Sequence, residues 1–141
     1  MAFNTNAYNT RQYEVAAIAD SATTIAPGTA LKISSLPTGL SSPDFYFQVA
    51  AASTTDTVFA TVSSQGSSIS NIVPGRVVLV NSGLIPVIMN STASKGDLIK
   101  VKTTDGKWGK CATGETSDAQ LVEAGTMGSM SWATPFKVVA P

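Results

Sequence analysis

SKGDLIKVKTTDGKWGK, residues 94–110, is the stretch from which the fold of this chain can be read most directly. Two strand-like pieces, LIKVK and KWGKCA, flank the four residues Thr-Thr-Asp-Gly at positions 103–106. An Asp-Gly pair between two such pieces is a strong signal for a β-hairpin, because glycine accepts the positive φ that a tight turn requires. We therefore predict a hairpin over this stretch, with its tip at Asp105 and Gly106.

This hairpin also carries much of the positive charge of the chain. Five of the nine basic residues lie within it: Lys95, Lys100, Lys102, Lys107 and Lys110. Such a ridge could bind phosphates, but Asp97 and Asp105 stand at its two turns and no aromatic ladder accompanies the lysines. The formal net charge is zero, which removes the overall attraction that a nucleic-acid binder needs. We therefore predict a solvated or protein-contacting face and no nucleic-acid partner.

Upstream of the hairpin, the clearest strand pattern is DFYFQVAA, residues 44–51. Phe45, Phe47 and Val49 fall on one face, with the period of two that is typical of a half-buried strand. We interpret this segment as a central strand of the core. Strand-compatible residues also fill three shorter pieces, YEVAAIA, TALKIS and TVFATVSS.

Three further regions complete the strand pattern. RVVLV and LIPVIMN surround Asn-Ser-Gly at positions 81–83 and predict a second hairpin, while Pro86 places its second strand at an edge or a bulge. Residues 117–125, SDAQLVEAG, fit either a two-turn helix or a strand, and the β-rich surroundings favour strand or irregular structure. The last strand is predicted over residues 136–139.

These segments together predict an all-β chain. Its 141 residues suffice for one compact domain and are too few for two ordinary ones. About eight to ten short strands, with turn signals about every ten residues, are typical of a small β-barrel or β-sandwich. We predict one β-rich domain over residues 12–141 with at most one short helix. An extended N-terminal arm over residues 1–11 precedes it and docks through Phe3 and Tyr8.

Low charge is the most unusual feature of the composition. Hydrophobic residues make up 43% of the chain and charged residues only 13%. The charged share is about half the usual one, so Ser, Thr, Asn and Gln must fill the solvent-facing positions. On a surface of this kind, charge repulsion does little to prevent association between molecules. Such a surface suits a protein that packs against copies of itself or against a partner.

Histidine, the most frequent general base of active sites, is missing from the sequence. It contains no histidine, and Cys111 is its single cysteine. Imidazole base catalysis, a multi-cysteine zinc site and an internal disulfide are thereby excluded. We predict a non-enzymatic protein with no catalytic residue, no cofactor and no metal, in which Cys111 is a small buried thiol. No run approaches the roughly 18 apolar residues of a membrane span, so we expect no membrane partner.

Apolar residues cluster near the end of the sequence, in GTMGSMSW. Met127, Met130 and Trp132 could line a hydrophobic groove or fill the core or a subunit interface. Filling the core or a subunit interface is the more common role of such side chains.

The overall pattern resembles a known family. Between residues 83 and 114 the sequence contains GLIPVIMN, ASKGDLIKV and TTDGKWGKCATG, and an EAG turn follows at residues 123–125. This succession of a hydrophobic strand, a Gly-Asp turn and a D-G-K hairpin resembles the small capsid decoration, or cement, proteins of tailed bacteriophages. The polar N-terminal arm and the low-charge surface agree with that family.

The resemblance implies a virion structural protein without enzymatic activity. Proteins of that family typically bind the outer surface of the expanded capsid as trimers and clamp neighbouring subunits of the major capsid protein. By that implication, the partners of this chain are the major capsid protein and two further copies of itself. The residues that we assign to capsid or subunit contact, as a hypothesis, are Phe3, Tyr8, Trp108, Met127, Met130 and Trp132.

A ligand-binding or glycan-binding β-sandwich on a virion or cell surface is the alternative. Aromatic side chains stack against sugar rings, and Tyr46, Trp108 or Trp132 would supply the platform. Solvent-exposed tryptophans would favour this alternative, and buried ones would count against it.

Overall fold

The structure, a computed structural model, describes residues 13–41, 43–64, 68–81 and 83–141. Ten β-strands and no helix occur in these ranges, which confirms the all-β prediction. The strands are β1 Glu14–Ala19, β2 Ala30–Ser35, β3 Phe47–Ala51, β4 Ala60–Val62, β5 Gly75–Leu79, β6 Ile85–Ile88, β7 Leu98–Val101, β8 Trp108–Lys110, β9 Ala119–Leu121 and β10 Met130–Pro135. Across the same ranges, no helix is long and apolar enough to cross a membrane.

The first five strands close into a barrel in the order β1-β3-β2-β4-β5, with β5 pairing back onto β1. β1 and β3 run parallel, whereas the other pairs are antiparallel. The barrel is filled by small and branched side chains: Ala17, Ala19, Ile25, Leu31, Val49, Ala60, Val62, Ile69 and Val77. A barrel of so few strands has room only for such side chains, which explains the Ala-rich and Val-rich strands of this half.

The other five strands form a second sheet in the order β6-β10-β9-β7-β8. β6 is an edge strand, as predicted from Pro86, which has no N–H to donate to a second neighbour. Met89 follows β6 directly and forms a parallel bridge with Trp108 at the start of β8. The N–H of Asn90 donates to the carbonyl of Trp108 at 2.8 Å. The sheet therefore curls until its two edges meet at one point.

A shared core joins the barrel to the second sheet. One buried cluster combines barrel residues such as Ala30 and Val78 with Trp108 of the second sheet. The tip of the β7–β8 hairpin also contacts the barrel, because the N–H of Ala30 donates to the carbonyl of Gly106 at 2.9 Å. Gly106 has a φ of +80°, and a Cβ there would lie 2.5 Å from Thr29 Cγ2. Only glycine fits this position without displacing its neighbours.

The hairpin predicted over residues 94–110 is confirmed. β7 and β8 pair in antiparallel register, with Ile99 opposite Lys110 and Val101 opposite Trp108. The prediction did not include the contact between the hairpin tip and the barrel. It arises from tertiary packing, which the turn residues alone do not reveal.

The hairpin predicted around residues 81–83 is wrong. β5 pairs with β1 and β4 inside the barrel, whereas β6 pairs with β10 of the second sheet. Val77 and Val78 point to opposite faces of β5, and both are fully buried. Both faces of β5 are covered only when the strand pairs within the barrel. The free energy gained from this burial outweighs the preference of Asn-Ser-Gly for a hairpin turn. The connection carries the chain from the barrel to the second sheet.

The DFYFQVAA segment begins its strand later than predicted. β3 starts at Phe47, and Phe45 lies in the preceding turn with 54% of its surface exposed. The rest of the segment behaves as a core strand, because β3 lies between β1 and β2 and Val49 is fully buried. Alternation alone could not show that Phe45 lies beyond the end of the paired region.

The last regular strand also lies earlier than predicted. β10 covers Met130–Pro135 rather than residues 136–139, because Ser131 and Ala133 turn inward and pack in the core. The predicted segment is held by separate contacts, including an isolated bridge between Thr116 and Val139. The ambiguous region over residues 117–125 contains the strand β9 and no helix, as we favoured.

Candidate contact surfaces

The described residues contain no group of three or more His, Cys, Asp or Glu side chains that could hold a metal ion. Cys111 is buried, as predicted. Its burial, followed by the negative charge of Glu115, raises the pKa of the thiol. A buried, protonated thiol is a poor nucleophile.

The lysines on the outer face of β7 are paired with a carboxylate. Lys102 Nζ donates to Glu115 Oε1, and Lys100 Nζ lies 3.7 Å from Glu115 Oε2. The N–H of Ala112 also donates to Glu115 Oε1 at 2.6 Å. The hydrogen bond from Lys102, followed by that from Ala112, lowers the pKa of Glu115 to about 2. The carboxylate therefore stays ionised and offsets one of the two positive charges of these lysines.

Two further lysines of the hairpin have similar partners. Lys110 Nζ lies 3.4 Å from Asp97 Oδ1, and Lys107 Nζ lies 3.6 Å from Asp105 Oδ2. Exposed pairs of this kind contribute little stability, but they intersperse both signs of charge along the hairpin. This is the arrangement expected of a solvated face.

The six residues assigned to capsid or subunit contact are found in different places. Phe3 and Tyr8 lie outside the described residues, as does the predicted arm. Trp108 is fully buried in the core that the barrel and the second sheet share. Its indole ring is not accessible to another protein or to a sugar, so the contact role assigned to it is corrected. A large apolar ring gains most when all of its surface is removed from water, which here occurs within the chain itself.

Met127, Met130 and Trp132 lie at or near the surface, and we call these three residues the β10 surface. Met130 and Trp132 are two residues apart on β10 and share one face, opposite the buried Ser131 and Ala133. Met127 lies in the turn before the strand and is 66% exposed. Trp132 is only half-buried and retains accessible surface.

A second apolar surface lies at one end of the barrel. The pairing directions place the starts of β1, β3 and β4 and the ends of β2 and β5 together at this end. Exposed apolar side chains from these strand ends and from the β2–β3 loop form what we call the barrel-end surface: Tyr13, Ile33, Leu36, Leu40 and Phe45. Leu40 is 97% exposed. Grouped exposed apolar side chains commonly mark a protein contact site.

The loop that carries Leu40 is held by internal contacts. The N–H of Gly39 donates to the carbonyl of Asp44 at 3.1 Å. The rings of Phe45 and Tyr46 meet edge to face, with centroids 5.3 Å apart. Contacts of this kind reduce the conformational entropy that the loop would lose on binding a partner.

An apolar groove adjoins the barrel-end surface, and we call it the barrel groove. It has a volume of about 530 Å³, and its apolar walls are Ile33, Val58, Phe59, Leu79 and Val80. Lys32 and Asp56, which also line it, form an ion pair of 3.4 Å. Thr57 and Asn81 are its other polar lining residues, and its volume is in the range of small-molecule sites.

Sequence reasoning does not identify the barrel-end surface. The stretch LPTGLSSP, residues 36–43, is typical of a loop because Pro, Gly and Ser favour turns. The available signal is the pair Leu36 and Leu40 within this turn-rich stretch, where no strand would bury them.

The sequence matches no protein-family model and no curated protein. Among solved structures, the fold is similar to that of the head fiber gp8.5 N base in bacteriophage phi29, with a TM-score of 0.65 and 15% sequence identity. The similarity covers 91% of this chain and 98% of that chain. The two proteins therefore share a fold over nearly their whole lengths.

Proposed function

We propose that this chain is a non-enzymatic structural protein of a tailed-bacteriophage virion. In this proposal it binds the outer surface of the capsid as a homotrimer and stabilises the expanded head. The barrel-end surface carries the proposal, because Leu40 and its apolar neighbours are exposed together and would gain from contact with another protein. The fold shared with the base of a phage head fibre supports a role on the head.

The contact would consist of many modest interactions. Burial of about 1,000 Å² per subunit, about 60% of it apolar, would contribute of order 15 kcal/mol before the costs of ordering and association. Trimerisation would make three capsid contacts effectively intramolecular, so that weak individual contacts give tight binding. We assign the barrel-end surface to the capsid and the β10 surface to the contact between copies.

Capsid binding can be tested by co-sedimentation with expanded heads and with procapsids of the phage that encodes the chain. We expect binding to expanded heads and not to procapsids. The double variant Leu40→Asp and Phe45→Asp should bind at least about tenfold more weakly, because it places two charges in an apolar contact. Ile72→Asp is the matched control, because Ile72 is 82% exposed in the loop before β5, at the opposite end of the barrel.

Two results would contradict this assignment. Failure of the wild-type chain to bind expanded heads would reject the proposed function. Equal binding by the double variant and the control would reject the barrel-end surface as the capsid contact.

The trimer can be tested separately by light scattering at tens of micromolar protein. We expect a mass three times that of the 14.5 kDa chain. A monomer under these conditions would reject a preformed trimer. Met130→Asp should lower the trimer fraction, because it introduces a charge into the β10 surface.

A further inference from the structure

We infer that the outer face of the barrel carries a binding site for an acidic sugar, in which a sugar ring bears a carboxylate. The site is an open slot of about 240 Å³ lined by Ala16, Tyr46, Pro74, Gly75 and Arg76, and we call it the Arg76 slot. The carboxylate pairs with Arg76, and the sugar ring lies against Tyr46. Such binding is a property of the free chain and does not depend on contact with a capsid.

The register of the barrel places three of these residues side by side. Arg76 on β5 lies opposite Ala16 on β1. Tyr46 directly precedes Phe47, which lies opposite Ala17. Because successive side chains point to opposite faces and Ala17 packs in the barrel interior, Ala16 faces outward. Ala16 is exposed and small, so it forms a low floor between the two larger side chains, whose backbones lie about 10 Å apart.

The charge of Arg76 is not compensated within the chain. The six ion pairs of the described residues all use lysines, and the guanidinium has no hydrogen-bond partner among those residues. All nine Asp and Glu residues of the chain lie in the described ranges. Glu14 is its diagonal neighbour on β1, but no ion pair joins the two. An exposed arginine of this kind is suited to bind a carboxylate through two parallel N–H···O bonds.

Tyr46 supplies the second half of the site. Its ring meets that of Phe45 edge to face, and this contact helps to fix its position. An aromatic ring offers an apolar surface to the C–H face of a sugar. A carboxylate on a flexible side chain of another protein would pair with Arg76 but would cover little of the ring. The combination of ring and guanidinium therefore favours an acidic sugar over an acidic peptide.

The size of the slot limits the ligand. A volume of about 240 Å³ lies below the usual range of sites for drug-sized molecules, so we expect the slot to take one sugar ring. A ligand with so few atoms should bind with a Kd of order 1 mM.

The test is a titration of the isotope-labelled chain with sodium glucuronate, followed through the amide signals of Ala16, Gly75 and Arg76. We expect these signals to shift and to saturate. Glucose has the same ring without the carboxylate and should bind at least about tenfold more weakly. Sodium chloride at the same ionic strength is the control for a general salt effect and should leave these signals unchanged.

Variants separate the parts of the slot. Arg76→Gln should weaken glucuronate binding at least about tenfold. Lys95→Gln is the matched control and should not change it, because Lys95 is also exposed and outside the six ion pairs but lies in the turn before β7. Ala16→Ile should abolish binding by filling the slot. A β-branched residue suits an exposed strand position, so the circular dichroism spectrum of Ala16→Ile should remain that of the wild type.

The outcomes separate the possible ligands. Slot signals that do not respond to glucuronate, or that respond equally to sodium chloride, would overturn the inference. Equal binding of glucose would show that Arg76 does not select the ligand and would also overturn it. Equal binding of the amide of N-acetylglutamate would show that the slot takes an acidic side chain of a protein instead. Unchanged binding by Ala16→Ile would place the ligand outside the slot.

Discussion

The barrel and the second sheet have different surface chemistries, although both have apolar interiors. In the part of the chain that the structure describes, five of the six ion pairs lie in the second sheet and its loops, and the barrel has only that of Lys32 and Asp56. The barrel instead presents the barrel-end surface and the barrel groove. Paired charges keep a surface hydrated, whereas exposed apolar groups favour contact. The barrel end is therefore a region that would gain from a partner, as is the β10 surface of the second sheet.

The largest effect is expected from a substitution that tests whether the barrel and the second sheet fold as one unit. Trp108→Ala should destabilise the chain by about 3–5 kcal/mol, because it empties the core that both halves share. Urea unfolding should remain a single transition, with Trp132 fluorescence and far-UV circular dichroism coinciding. Two separate transitions would contradict the predicted single domain. Trp132→Ala should cost less, because that side chain is only partly buried.

The next effect concerns the contact of the hairpin tip with the barrel. Gly106→Ala should cost about 2–4 kcal/mol, since it adds the strain of a positive φ to a clash with Thr29 and Ala30. Gly96→Ala is the matched control, because Gly96 has a φ of +89° and no atom within 4 Å of the added Cβ. Urea unfolding gives both values. Equal costs would show that only backbone strain matters and that the tip contact is weak.

A smaller, pH-dependent effect is expected from the ion pairs of the second sheet. The folded-state pKa of Glu115 is lowered from 4.5 to about 2. Its contribution is therefore fully present above about pH 4.5 and is lost as the pH falls toward about 2. Glu115→Gln should flatten the pH dependence of the unfolding free energy in this window. An identical slope in Glu115→Gln and wild type would contradict the pairing; Glu123→Gln, outside the six ion pairs, is the control.

The smallest effect on folding is expected at the barrel end. Leu40→Ser should change the unfolding free energy by less than about 0.5 kcal/mol, because the side chain is already exposed. Leu31→Ala is the reference within the barrel core and should cost about 2–5 kcal/mol. A loss above about 1 kcal/mol for Leu40→Ser would mean that this leucine supports the fold rather than a contact.

Much of the local structure could be predicted from the sequence. The Asp105–Gly106 hairpin, the edge position of Pro86 and the burial of Cys111 depend on turn geometry, on a missing donor and on the preference of a thiol for the interior. These causes act within a few residues or on one side chain. These three features can therefore be predicted from the sequence without knowledge of the rest of the fold.

The candidate site could be predicted only in part. The GTMGSMSW cluster led to the β10 surface, because grouped apolar residues near turns are recognisable. The contact hypothesis that followed the family resemblance included Trp108, although the second sheet curls over it and removes it from the surface. Leu40 was missed because its exposure depends on which elements cover the β2–β3 loop, and none in the described part of the chain covers this side chain.

The amino-acid pattern alone establishes that the chain is built of short strands and contains no histidine. Period-two patterns, turn residues and composition are local properties that survive in any arrangement of the strands. Long-range packing instead determines that β5 and β6 separate rather than pair, that Gly106 packs on the barrel and that the barrel end is apolar. Each of these outcomes depends on which distant residues cover a given face, because a strand pairs where both of its faces are best buried.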